Sequence, residues 1–241
     1  MFLSIKLRDT LPLMVSALLI AAAFLLPPYE AGGEIAVFAP DGPVLIIDPG
    51  HGGADGGAQA ADGSVESALN LSVAKKLNAL AGLFGVETVM TRESEDIAYP
   101  DGADSIAGMK RADQHARAEL IASVPDGVLI SIHQNYYPDE RPSGAVVLYA
   151  AAEGSRELGE AAQSLLVEKL DSSNRRVAAP VDDEVYLMRS AECPAILVEC
   201  GFMSNPAELE KLKSGSYQFK IAAVLLSAYL QRGGAVNGMV I

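Results

Sequence analysis

The 241-residue chain is half hydrophobic and carries 31 acidic against 18 basic residues, a formal charge of −13. That length fills one substantial core rather than two comfortable large domains. The acidic balance argues against nucleic acid as substrate or partner, because a phosphate backbone is bound by surplus Lys and Arg.

The first element stands apart from the rest. Lys6 and Arg8 precede an almost unbroken apolar run over residues 11–26, closed by Pro27 and Pro28. Such a run lies between a signal-peptide core and the about 20 residues of a spanning helix, so residues 1–28 read as a cleaved signal or a retained membrane anchor. The basic head favours an N-terminus that stays inside, and either reading sends the remainder out of the cytoplasm. Residues 29–42 read as a linker, 43–231 as one catalytic domain and 232–241 as a loose tail.

From Pro43 onward, short apolar runs alternate with stretches of helical period. Strands are expected at 44–48, 86–91, 127–132, 145–150 and 195–199. Helices are expected at 64–83, 110–122, 155–170, 206–212 and 217–231. The strands are apolar at nearly every position, which predicts an α/β domain: a mostly parallel central sheet with helices on both faces. Ligands of such sheets gather at the carboxyl ends of the strands, so 48–51, 132–135 and 199–205 form one expected neighbourhood.

Chemistry-bearing residues fall in that neighbourhood. Asp48-Pro49-Gly50-His51-Gly52-Gly53 follows the first strand, with Asp55-Gly56-Gly57 behind it. The glycines permit positive φ and close backbone approach, leaving His51 as the coordinating side chain. The loop lacks the Lys-Ser/Thr of a nucleoside-triphosphate loop and the spacing of the dinucleotide fingerprint. Ser131-Ile132-His133-Gln134-Asn135 ends a central strand. A lone strand histidine is commonly a satisfied core residue, but two at the ends of two strands of one sheet point to a shared divalent ion that offsets the burial of both imidazoles. His115 lies within a charged helix and reads as a residue without a ligand role.

Catalytic zinc wants three protein ligands and an open position. Glu66, at the start of the helix after the glycine loop, is the carboxylate candidate; its alternative role is an acid favoured by the helix dipole. Glu199 ends an otherwise apolar strand, where a carboxylate is expensive unless paired, protonated or functional, which makes it the candidate general base. Other divalent ions also suit a His, His and Glu set.

Cys193 and Cys200 bracket that strand. At about 3.3 Å per residue their Cα atoms lie roughly 20 Å apart, well beyond the about 7 Å that a disulfide spans, so both thiols are expected free. Cys200 points away from the Glu199 face, which argues against a thiol nucleophile. Glu93, Glu95, Asp96, Asp101 and Asp104 read as a solvated acidic loop without calcium-loop spacing.

At four places the sequence resembles the zinc-dependent N-acetylmuramoyl-L-alanine amidases known as amidase type 3: the Asp-Pro-Gly-His-Gly-Gly loop, the following Glu66, Ser131-Ile132-His133 with Asn135, and Val198-Glu199 with Gly201-Phe202 and Ser204-Asn205. The resemblance runs from about Val44 to Gln231. It implies that family's sheet, zinc held by His51, Glu66 and His133, and Glu199 as the catalytic carboxylate, with Asp48, Asn135 and Arg117 supporting ligands or substrate. Within the family the chain is most similar to sporulation amidases that act on spore-cortex peptidoglycan, where stem-peptide removal precedes muramic δ-lactam formation. Met90-Thr91-Arg92-Glu93-Ser94, the acidic loop leading into Lys110-Arg111, Tyr186-Leu187-Met188 and a single N-terminal apolar segment suggest that subgroup. The partners implied are peptidoglycan glycan strands with stem peptides, the membrane if the first segment is uncleaved, and, as for some members, a lipoprotein activator.

Two departures stand out: Ala122 replaces the family's Asn after Arg117, and Ser67 replaces the usual Lys after Glu66. Two rival readings make distinct demands. A zinc peptidase on a similar sheet needs an Arg and Tyr set for a free terminal carboxylate, and none is evident. A membrane-tethered wall-binding or scaffold protein with an inactive zinc site would lack a ligand or the base, whereas all four candidates are present.

Overall fold

The apolar run after Pro43 forms β1 (Val44–Pro49), the first strand of a computed structural model that describes residues 42–232. The N-terminal hydrophobic segment, all but the last residue of the expected linker, and the tail beyond Arg232 lie outside the described residues. Among the described residues no helix is long and apolar enough to cross a membrane.

Five further strands complete one sheet: β2 (Thr88–Met90), β3 (Gly127–Asn135), β4 (Val146–Tyr149), β5 (Ala179–Pro180) and β6 (Ala195–Phe202), in the order β2-β1-β3-β6-β4-β5. β2, β1, β3 and β6 run parallel to one another, β4 runs antiparallel to β6, and β5 runs parallel to β4. The expected α/β architecture with a mostly parallel sheet is therefore the fold observed.

Strand alternation divides the core in two. Leu45, Ile47, Val128, Ile130, Ile132, Ile196 and Val198 pack against α1 (Glu66–Leu83), α3 (Ser155–Lys169) and α6 (Gly215–Arg232). Ile46, Leu129, Ala195 and Leu197 face the other way, onto α2 (Ile106–Ala122) and the short α4 (Tyr186–Ser190), through Ile121, Leu187 and Met188. Each fully buried Leu or Ile contributes about 1.5–3 kcal/mol relative to exposure, which is why both faces of the central strands read as apolar.

The boundaries differ from expectation where local chemistry intervenes. α2 begins four residues before Lys110 because Ser105 caps it, its hydroxyl accepting from Gly108 N at 3.1 Å. α5 (Pro206–Lys213) starts where Asn205 accepts from the N–H groups of Ala207 and Glu208 and Pro206 presets the first turn. β3 and β6 run three residues farther than their expected spans, to Asn135 and Phe202, and the extension of β3 carries the candidates His133 and Asn135. β2 is shorter than the expected 86–91.

Candidate metal centre

Asp48, Ser131, His133 and Glu199 alternate onto the α2 side of the sheet, because each falls in phase with Ile46, Leu129 or Leu197. Strand register sets Asp48 beside Ser131 and His133 beside Glu199. Beyond Pro49 the chain leaves the sheet. Gly50 passes so close to the His133 ring that a Cβ there would lie 2.2 Å from its Nε2. His51 follows with φ 60°, a left-handed conformation that costs a non-glycine residue on the order of 1–3 kcal/mol. It sets the two imidazoles edge to face, 5.0 Å between centroids.

Glu66 closes the group. Its Oε2 lies 3.4 Å from His51 Nε2 and accepts from Ala58 N at 2.9 Å. Its Oε1 lies 3.1 Å from His133 Nδ1 and accepts from Gln134 N and Asn70 Nδ2 at 3.2 and 3.3 Å. Gly57, at φ 72°, lets the loop pass: a Cβ there would come 2.5 Å from Glu66 Oε2. One donor atom from each of His51, Glu66 and His133 lies within 4.8 Å of the other two. Zinc bonds of about 2.0–2.2 Å arranged tetrahedrally set ligand atoms about 3.3 Å apart, so the His–Glu separations suit a shared ion.

The charges agree with that arrangement. Burial alone pushes the Glu66 carboxyl up, but hydrogen bonds from His133 and His51 hold it well below the usual carboxylate range. Burial works against a charged His51 ring, yet Asp55, 3.0 Å from Nδ1, and Glu66 together lift it to about 9. The bond to His51, with help from Lys110, draws the Asp55 carboxyl below its ordinary value. Across the ladder from His133, burial pushes Glu199 up to about 7 against the pull of His133, and its Oε2 is buried with no hydrogen-bond partner.

Two guanidinium groups hold the loop from beneath. Arg117 donates to Asp48 Oδ1 at 2.7 Å, to Pro49 O at 2.8 Å and to His51 O at 2.7 Å. Arg92 donates to Pro49 O at 2.9 Å and to Gly50 O and Ser67 O at 3.0 and 2.9 Å. Asp48 also accepts from the Ser131 and Thr91 hydroxyls, both at 2.6 Å. Burial pushes the Asp48 carboxyl up, and Arg117 with these hydroxyls more than reverses it, leaving the group below its ordinary value.

The structure thus gathers His51, Glu66, His133 and Glu199 around one point, with Asp48 and Arg117 directly behind. Asn135 ends β3 opposite Phe202, where its carbonyl accepts from Met203 N at 2.8 Å. His115 stays outside the group, exposed, its Nδ1 3.1 Å from the Tyr186 hydroxyl. Both cysteines are free, and Cys200 lies in the apolar core on the opposite face from Glu199.

Sequence reasoning missed Arg92, Asp55 and Asn70 as parts of the site. Asp55 stands four residues after His51 within a glycine-rich loop, a signal that could have marked it. The acidic loop is solvated as expected, with Glu93, Glu95, Asp96, Asp101 and Asp104 all exposed, and Glu95 in addition accepts from Arg92 at 3.1 Å and from the Ser67 hydroxyl at 2.7 Å. These bonds tie the loop to the start of α1.

A cleft of about 370 Å³ opens over the site, floored by Asp48, His133 and Glu199. One wall is the Lys110–Arg117 face of α2 and the other is the segment from Glu184 to Met188.

Several known proteins are similar to this chain. A germination-specific N-acetylmuramoyl-L-alanine amidase from Bacillus subtilis is 32% identical over 191 residues, 79% of each chain. The amidase LytC of the same organism is 29% identical over 187 residues, but those are 76% of this chain and only 34% of LytC. Among solved structures, the CwlD amidase from Clostridioides difficile, in complex with the GerS lipoprotein, superposes with a TM-score of 0.76 at 30% identity, covering 80% of this chain and all of that one. The sequence profile of the N-acetylmuramoyl-L-alanine amidases matches residues 45–229, nearly the whole described domain, and the chain belongs to that family.

Proposed function

We propose that this chain is a zinc enzyme that works outside the cytoplasm and hydrolyses the amide between N-acetylmuramic acid and the L-alanine of the stem peptide in spore-cortex peptidoglycan. One observation carries the reading: a buried carboxylate, Glu199, with an unpartnered oxygen stands beside His133 at the His51–Glu66–His133 donor cluster. His51, Glu66 and His133 would hold the zinc and leave a position open. In such a setting the ion supplies a polarised carbonyl and a water acidified to near neutrality.

The residues of the chain supply the rest. Glu199 takes a proton from the attacking water as the carbon–oxygen bond forms, and gives it to the nitrogen as the carbon–nitrogen bond breaks. A carboxyl near 7 can serve both halves of that exchange. Asp55 fixes the His51 ring by binding Nδ1 and leaves Nε2 for the metal. Arg117 and Arg92 keep the loop carbonyls still, so that His51 holds its strained backbone.

Similarity to the germination-specific amidase and to CwlD supports the spore-cortex substrate and action beyond the membrane. The GerS lipoprotein in the CwlD structure supports a lipoprotein as partner class for this chain. The test uses the zinc-loaded full-length chain on purified spore-cortex peptidoglycan, with and without its candidate lipoprotein. Metal content and newly exposed L-alanine amino groups are measured beside Glu199→Gln. One zinc per chain in both proteins, with cleavage by the parent alone, is the expected result. A zinc-loaded parent that leaves cortex intact with the lipoprotein present rules the amidase reading out.

A further inference from the structure

α2 presents Lys110, Asp113, Gln114 and Arg117 to the cleft, positions that fall on one helical face. Arg117 and Asp113 are committed to each other at 2.9 Å, and Arg117 also to Asp48 and the loop carbonyls. Lys110 is not. Its ammonium lies 2.9 Å from Asp55 Oδ2 with the side chain 45% exposed, and of its three donors two remain for another acceptor. Apart from the histidines and the committed Arg117, the other ionisable side chains facing the cleft are acidic or, as at Tyr186, phenolic. An anionic group entering there finds at Lys110 an exposed cation with two donors left beyond its pair with Asp55.

We propose that Lys110 is the subsite for the carboxylate of the second stem-peptide residue, the D-glutamate that follows L-alanine; this deepens the amidase reading and rests on it. Asp55 sets the distance, since it bridges Lys110 Nζ at 2.9 Å and His51 Nδ1 at 3.0 Å, so two hydrogen bonds separate the ammonium from the ring that would hold the metal. A peptide advances at most about 3.6 Å per residue. The carboxyl of L-alanine is consumed in its peptide bond, so with the scissile nitrogen beside the His51–Glu66–His133 cluster the first free carboxylate along the stem is the α-carboxylate of the next residue, one peptide unit away. Gln114, one helical turn from Lys110, offers neutral amide donors beside the same path.

The probes are L-alanyl-D-glutamate and L-alanyl-D-isoglutamine, which differ only in a carboxylate or carboxamide at that position. Each is used as a competitive inhibitor of cortex hydrolysis by the zinc-loaded full-length chain. For the parent, the glutamate peptide inhibits about tenfold more strongly, the scale of one charge-assisted hydrogen bond. Lys110→Gln erases that ratio by weakening the glutamate peptide alone, and Lys110→Arg retains most of it. A purely structural role through Asp55 would lower turnover or zinc content and leave the ratio unchanged, which overturns the proposal. A parent that cleaves cortex but is inhibited equally by both peptides, or by neither, overturns it too while the amidase reading stands. A parent that cleaves no cortex removes the amidase reading and this one together.

Discussion

Arg117 Nη1 and Asp48 Oδ1 meet at 2.7 Å beneath the loop that carries His51, with both side chains at least 95% buried. The guanidinium also donates to Asp113 and to the carbonyls of Pro49 and His51, so it joins β1, α2 and the His51 loop in one network. Removing one member leaves the other charged and dry, which costs about 3–5 kcal/mol. Arg117→Met is expected to lower unfolding free energy by that amount in denaturant titration. The double variant with Asp48→Asn should cost clearly less than the sum of the singles. A single-variant cost under about 1 kcal/mol would be the size of an exposed pair and would contradict the burial.

The same pair sets a dependence on acid. The Asp48 carboxyl sits below its ordinary value in the folded chain, since Arg117 and two hydroxyls outweigh the effect of burial. A depressed folded value means that the stabilisation is complete above the unfolded value of about 3.9 and is lost as pH falls below it. In Asp48→Asn that part of the acid limb disappears. Unfolding midpoints at pH 6 and pH 3.5 should therefore differ less in the variant than in the parent, and an unchanged difference would exclude Asp48 as a source of acid sensitivity.

The candidate metal donors were legible because each is a rare residue at the end of an apolar strand or at the first turn of a helix, where its chemistry has no packing explanation. The layered fold was legible for the same reason: Leu45, Ile46 and Ile47 are buried on successive faces and leave an unbroken apolar signature. Strand direction was not. β4 has the composition of its neighbours but runs antiparallel to β6, and nothing in a four-residue apolar run encodes its sense. β5 with two residues and α4 with five are too short to show a period. Arg92 was invisible as a site residue because its acceptors are carbonyls of Pro49, Gly50 and Ser67, and a carbonyl leaves no mark in sequence. Arg117 holds its position through Asp48, Asp113 and loop carbonyls even though Ala122 stands where the family has Asn.

Asp55 tests whether the support behind His51 matters to the metal. Its carboxylate fixes the ring through Nδ1, and partners of this kind typically contribute about 10–100-fold to metal affinity. Asp55→Ala should bind zinc about that much more weakly in competition with a chromogenic chelator. At saturating zinc its turnover should lie far closer to the parent than that of Glu199→Gln does. Unchanged affinity would mean that Glu66 and the loop alone orient His51.

His51 also predicts how zinc uptake couples to protons. Against the effect of burial, Asp55 and Glu66 lift the ring to about 9, so near pH 7 the metal-free chain holds a proton on a nitrogen that a metal needs. An ion can be ligated only by the neutral ring, and binding must expel that proton. Because the value is raised, the proton competes below about 9, and apparent zinc affinity climbs as pH rises toward it. Calorimetric titration at pH 7 in buffers of different ionisation enthalpy should give a slope of about one proton released per zinc. Asp55→Ala removes one of the two carboxylates that retain the proton, so its slope should fall even though its zinc affinity falls as well. A parent slope near zero would mean that the ring is already neutral at pH 7, and that the carboxylates around it orient it without charging it.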